Sequence, residues 1–252
     1  MDGGYYQINR EERNLAAIFY HVLLLEDNLF RFLEKVSCDF SVNPNELGIY
    51  FEYSYLRDLW KHIGNNNQVK RELIYNFLKP RQIETLKLMS TSEFNTYFGA
   101  VPRASEKYIQ SPSNWSIVRF KTNIVDDDEF LKTCRFKWAF NAKPDIVIHT
   151  SHETAICIEC KLESGEGTYP ANKEEIREFR RRNLNPVGQT ELQRYIMEDL
   201  LGIQTKFIFL VQKSRTNSPS HSSLLWKEAF AGLNINGCPT FIKEQISHLC
   251  LK

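Results

Sequence analysis

A mixed α/β architecture follows from three features of the chain. Residues 145–149 and 154–161 are short runs rich in Ile and Val. They flank the polar stretch Thr150-Ser-His-Glu153, the pattern of two antiparallel strands joined by a turn. Residues 205–212 form a third run, continuously apolar from Phe207 to Val211, as in a strand buried on both faces. Around these, apolar residues recur every three or four positions, the spacing of helices packed on a sheet. The expectation is a mixed central sheet flanked by helices.

From the N-terminus, residues 9–35 read as one helix, because Leu15, Ile18, Phe19, Val22 and Leu23 recur at helical spacing. Its start is charged. Glu12 lies three residues before Leu15, at the edge of the buried stripe, and Glu11 lies beside it. Residues 36–110 read as mainly helical, with loops at 43–45 and 65–67 and a helix stopped by Pro80. Lys70, Arg71, Lys79 and Arg81 in this block suit a solvated helix face or a nucleic-acid backbone. Residues 111–114 are a turn and 115–120 a strand. The acidic run 126–129 is a loop or a helix start, and 130–140 fits helix and strand alike. Two glycines and a proline make 163–170 a flexible loop. Residues 172–182 form a charged helix. Residues 188–202 form a second helix, bounded by glycines, with Leu192, Tyr195, Ile196, Leu200 and Leu201 as its apolar stripe. A polar loop at 214–221, a helix at 224–233 and a terminal helix at 240–249 complete the chain.

The 252 residues suffice for one large domain or two small ones, and 42% hydrophobic content supports a substantial core. A net charge of +1 excludes a broadly basic coat, so any phosphate must be met by a local patch. No apolar run approaches the roughly 20 residues that span a bilayer. Met1-Asp-Gly-Gly-Tyr-Tyr6 is no secretory signal, so a cytoplasmic protein without membrane attachment is expected. The six cysteines are irregularly spaced in a chain of ordinary size, against a disulfide framework. Cys157 and Cys160 have the spacing of a zinc or redox half-site, but on a strand they point to opposite faces.

Alternation along the second strand puts Cys157, Glu159 and Lys161 on one face and Ile156, Ile158 and Cys160 on the other. Asp145 follows Pro144, which suits the beginning of a strand because proline cannot donate to the ladder. If the strands pair, Asp145, Glu159 and Lys161 converge at one end of the sheet. Two carboxylates on a rigid frame offer hard oxygen ligands for Mg²⁺ or Mn²⁺, and the Cys160 carbonyl offers another. A lysine on the same face can orient or deprotonate a water, or neutralise charge developing on phosphorus.

Pro144-Asp145, thirteen intervening residues and Glu159-Cys160-Lys161 resemble the signature of the PD-(D/E)XK superfamily, the restriction-endonuclease-like nucleases. The resemblance implies a restriction-endonuclease-like core in residues 1–35 and 111–252, with 36–110 as a mainly helical insertion. It implies hydrolysis of nucleic-acid phosphodiesters, DNA foremost, through a metal-activated water. Asp145, Glu159 and the Cys160 carbonyl would hold Mg²⁺ or Mn²⁺, and Lys161 would serve the water. Glu12-Arg-Asn-Leu15 resembles the Glu-Arg-x-Leu pattern of archaeal junction resolvases in this superfamily, which makes Glu12 a further ligand, with Glu11 as its rival. Several branches carry a Gln-x-x-x-Tyr motif on the helix after the Glu-x-Lys strand. Here the residue four before Tyr195 is Glu191, and Gln189 and Gln193 are the nearby amides that could serve the site. Arg177, Arg180, Arg181 and Arg182 follow the strand closely and suit phosphate, or else pair along their helix with Glu174, Glu175 and Glu178. Homodimerisation or a partner protein is compatible with the superfamily. Two other readings stand beside the nuclease: a nucleic-acid- or protein-binding module on the same fold, and a zinc or thiol enzyme using Cys157 and Cys160.

Overall fold

The computed structural model describes residues 12–36, 40–100, 107–162, 165–213 and 221–250. Glu11 and all but the last residue of the 214–221 loop lie outside them. The chain forms two compact units. The first comprises residues 1–53, 143–165 and 202–252; the second comprises 54–142 and 166–201.

The first unit carries a mixed sheet. Its strands are β1 (Gly48–Phe51), β2 (Ile146–His149), β3 (Thr154–Cys160), β6 (Gln204–Val211) and β7 (Ser222–Leu225), in the order β1-β2-β3-β6-β7. β1, β2 and β3 pair antiparallel, and β6 and β7 continue parallel to β3. The expected hairpin and the long apolar strand are therefore present. One sheet face, with Ile146, Ile148, Ile156, Ile158, Ile208 and Leu210, is the wall of the hydrophobic core. Packed in the same core are helices α1 (Glu12–Leu23), α2 (Asn28–Lys35), α11 (Trp226–Phe230) and α12 (Thr240–Cys250). Phe19 is the hub of this core. Its ring meets Phe32, Trp226 and Phe230 edge-on at 5.3, 5.9 and 5.2 Å.

Three readings of this unit change. The stretch read as one helix is, over the described residues 12–35, two helices broken at 24–27, where Glu26 has φ +44°. Asn28 is fully buried at the break; its amide donates to the carbonyls of Val22 and Asn234 and its carbonyl oxygen accepts from the Asn234 N–H. Those three bonds make a buried polar residue tolerable and fix the turn. β1 lies inside the stretch read as helical; four residues are too few for a period-two pattern to stand out among dense aromatics. At 224–233 the chain first adds β7 to the sheet, and the helix that follows ends at Phe230.

The second unit is mainly helical: α3 (Tyr55–Ile63), α4 (Asn67–Leu78), α5 (Ile83–Leu88), α6 (Thr91–Tyr97), α7 (Ile117–Phe120), α8 (Asp127–Ala139), α9 (Lys173–Arg181) and α10 (Gln189–Arg194). A π-helical turn, Tyr195–Leu200, prolongs α10, and β4 (Thr168–Tyr169) pairs with β5 (Val187–Gly188). Helix starts follow local chemistry: Asn66, Asp126 and Asn172 accept from the backbone N–H of Val69, Glu129 and Glu174, and Ser90 and Glu93 form a capping box. Residues 115–120, read as a strand, are instead a short helix that buries Ile117 and Phe120, three apart. Trp115 stacks on Phe98 at 4.1 Å. The ambiguous stretch 130–140 is helical through Ala139, and the acidic run before it caps and charges the start of α8. No helix among the described residues is long and apolar enough to cross a membrane.

Candidate active site

Strand register builds the site. Ile146 pairs with Ile158, so the next antiparallel step sets Asp145 abreast of Glu159 at the end of the β2–β3 ladder. The Asp145 Oδ2 accepts the Cys160 N–H at 2.8 Å. A strand residue turns its N–H and C=O to the same side, so the Cys160 carbonyl also faces the Asp145 side. Two residues beyond Glu159 on the same face, Lys161 donates from Nζ to Glu159 Oε1 at 3.0 Å. The Lys161 backbone is held from two directions: its N–H donates to Leu210 O at 2.7 Å, and its carbonyl accepts the indole N–H of Trp226 at 3.0 Å. Glu12, the first residue of α1, accepts the Leu162 N–H at 2.9 Å and so ties that helix to the chain just past Lys161.

Electrostatics reflect the crowding. Asp145 is pushed from 3.8 up to about 7, first by burial, then by the Glu159 charge and, more weakly, by Glu12; the Cys160 N–H and Lys161 pull the other way. Burial alone would lower the Lys161 pKa, but the charge and hydrogen bond of Glu159, with Glu12 and Asp145, raise it above the usual 10.5. Lys161 is therefore an ammonium at neutral pH and can neutralise charge or orient a group, not take a proton. The donor set fits a hard divalent cation: two carboxylates abreast, a carbonyl turned the same way, and a carboxyl that a cation would help to ionise. Mg²⁺ commonly uses one or two carboxylates and fills the rest with water and phosphate oxygens. Among the described residues no group of three or more His, Cys, Asp and Glu side chains is arranged to hold a metal, and Glu12 is engaged with Leu162.

One carboxylate beside the site was not singled out from the sequence. Glu52 follows β1, has φ +49°, and donates its backbone N–H to Asp145 O at 2.8 Å. Its side chain bridges two cations: Arg13 Nε lies 2.8 Å from Oε1 and Lys143 Nζ 3.1 Å from Oε2. Lys143 stands two residues before Asp145 in the sequence; Glu52 carried no periodic signal.

The glutamine and arginine candidates belong to the second unit. Gln193 is buried and Gln189 half-buried on α10, whose Glu191 pairs with Arg135. Arg177 and Arg180 are exposed on α9. Arg181 bonds Glu178, and Arg182 is not available to phosphate: its side chain is only 6% exposed. Arg182 bonds Glu178, Asp127 and the carbonyls of Lys121, Ile124 and Val125, and lies over the Phe130 ring. Lys70 lies over Trp60 and Arg71 bonds the carbonyls of Leu86 and Met89, while Arg81 is exposed and pairs with Asp126. Cys157 and Cys160 are buried thiols in no disulfide, and burial, with the nearby carboxylates, pushes both well above the usual thiol pKa. No protein-family model matches the chain, and no curated protein or solved structure does.

Proposed function

We propose that the protein is a Mg²⁺- or Mn²⁺-dependent nuclease of restriction-endonuclease-like architecture that hydrolyses phosphodiester bonds, those of DNA first. The observation that carries this reading is the register that sets Asp145 abreast of Glu159, with Lys161 hydrogen-bonded beside them. The succession α1, β1, β2, β3, α10, β6, with α2 before β1, α3 to α8 between β1 and β2, and β4, α9 and β5 before α10, is compatible with the helix, strand, strand, strand, helix, strand plan that the resemblance implies, β1 standing in place of the strand expected at 115–120. Asp145, Glu159 and the Cys160 carbonyl would hold the cation. When bound, it would supply Lewis acidity to a phosphoryl oxygen and a more acidic water. Lys161 then offsets negative charge gathering on the phosphoryl group, and the sheet fixes the relative positions of all three side chains.

Cleavage of single-stranded, duplex and branched DNA, and of RNA, with and without Mg²⁺ tests the reading. Asp145→Ala and Glu159→Ala should each lower the rate by about 10²–10³-fold or more, with circular dichroism unchanged. Equal rates in wild type and both variants would overturn it. One observation favours a binding module on the same fold: Glu159 and Lys161 are 5% and 10% exposed and engage each other. Calorimetric titration with Mn²⁺ separates the two, since a module of that kind gives no heat.

A further inference from the structure

We infer that Arg13 and Lys143 form a subsite for a nucleic-acid backbone phosphate next to the bond acted on at Asp145 and Glu159, with Glu52 occupying it when no nucleic acid is bound; this rests on the nuclease reading. Two cations converge on one carboxylate, Arg13 Nε at 2.8 Å and Lys143 Nζ at 3.1 Å. A carboxylate presents the same pair of anionic oxygens that a phosphodiester does, and both cations favour phosphate. Stability alone does not account for the arrangement. Arg13 is 68% exposed and Lys143 33%, and exposed ion pairs contribute about 0–1 kcal/mol. Glu52 meanwhile holds a left-handed backbone, φ +49°, that a non-glycine residue rarely adopts.

Placement agrees with the role. Arg13 directly follows Glu12, and Lys143 precedes Asp145 by two residues, roughly 7 Å of extended chain. With Glu52 between them the two cations contribute a net charge of only +1. An arriving phosphate that displaces the Glu52 side chain meets both.

The test is binding of a fluorescent single-stranded oligonucleotide, without divalent cation, across a salt series. Arg13→Gln and Lys143→Gln should each weaken binding and reduce the salt slope by about 1. Glu52→Gln should do the reverse, tightening binding and steepening the slope, because it frees both cations. A merely structural role predicts the same sign for all three, so weakening in Glu52→Gln overturns the inference, as do unchanged slopes in the other two. If the wild type cleaves DNA while these variants bind like it, the subsite fails and the nuclease reading survives. If the wild type neither binds nor cleaves, both fail.

Discussion

Asp145 and Glu178 are carboxyls displaced in opposite directions, and pH should separate them. Burial and Glu159 raise Asp145 to about 7. Hydrogen bonds from Arg181, opposed by burial and reinforced by Arg182, hold Glu178 down at about 2. In the absence of divalent cation, the native state keeps a proton on Asp145 that the unfolded chain releases near 3.8, so this contribution to stability is full below that pH and lost as pH rises to 7. For Glu178 the sign reverses: its contribution is present above 4.5 and lost as pH falls toward 2. Thermal unfolding across pH should show Asp145→Asn flattening the upper slope and Glu178→Gln the lower; an unaltered slope between pH 4 and 7 in Asp145→Asn would contradict the crowding described for the site. Charge networks also differ in worth by position. Arg182→Gln leaves Glu178 and three carbonyls short of donors and should cost about 3–5 kcal/mol. Arg180→Gln, on an exposed position, should stay within about 0.5 kcal/mol.

Helix α1 shows what the sequence disclosed and what it withheld. Its apolar stripe was plain, and Phe19 in that stripe is wholly buried against three other rings. Phe19→Ala should lose about 3–5 kcal/mol in denaturant unfolding. The break after Leu23 was hidden because Leu25 and Leu29 continue the apolar rhythm; the one sign was Asn28, a polar residue on the buried side. Asn28→Ala should cost about 1–3 kcal/mol by stranding its partners. β2 and β3 were legible as a pair, two Ile-rich runs on either side of a polar turn, and β6 as an unbroken apolar run from Phe207 to Val211. β1 and residues 115–120 were misread for one reason in both directions: at four to six residues, tertiary packing outweighs local preference. The acid pair of the candidate site was legible through alternation along β3. Glu52 was not, since only the pairing of β1 with β2 brings it to Asp145.

Neither unit is continuous in sequence. The chain passes from one to the other after residues 53, 142, 165 and 201. Phe51 and Ile146 are sheet partners across about ninety-five positions, and Cys160 and Leu210 across fifty. Loop-closure entropy grows slowly with length, about 0.6 kcal/mol per doubling, so such pairings are tolerable at equilibrium. They are slow to find, and folding measured by stopped flow should be in the millisecond-to-second range typical of non-local sheets. The anchoring of Lys161 from both Leu210 and Trp226 also has a temporal side. On the ribosome, at roughly 5–20 residues per second, the acidic hairpin emerges seconds before either anchor exists. The nascent chain therefore displays Asp145, Glu159 and Lys161 with no fixed geometry, and whatever they do together begins only once residues 202–230 have been translated and docked.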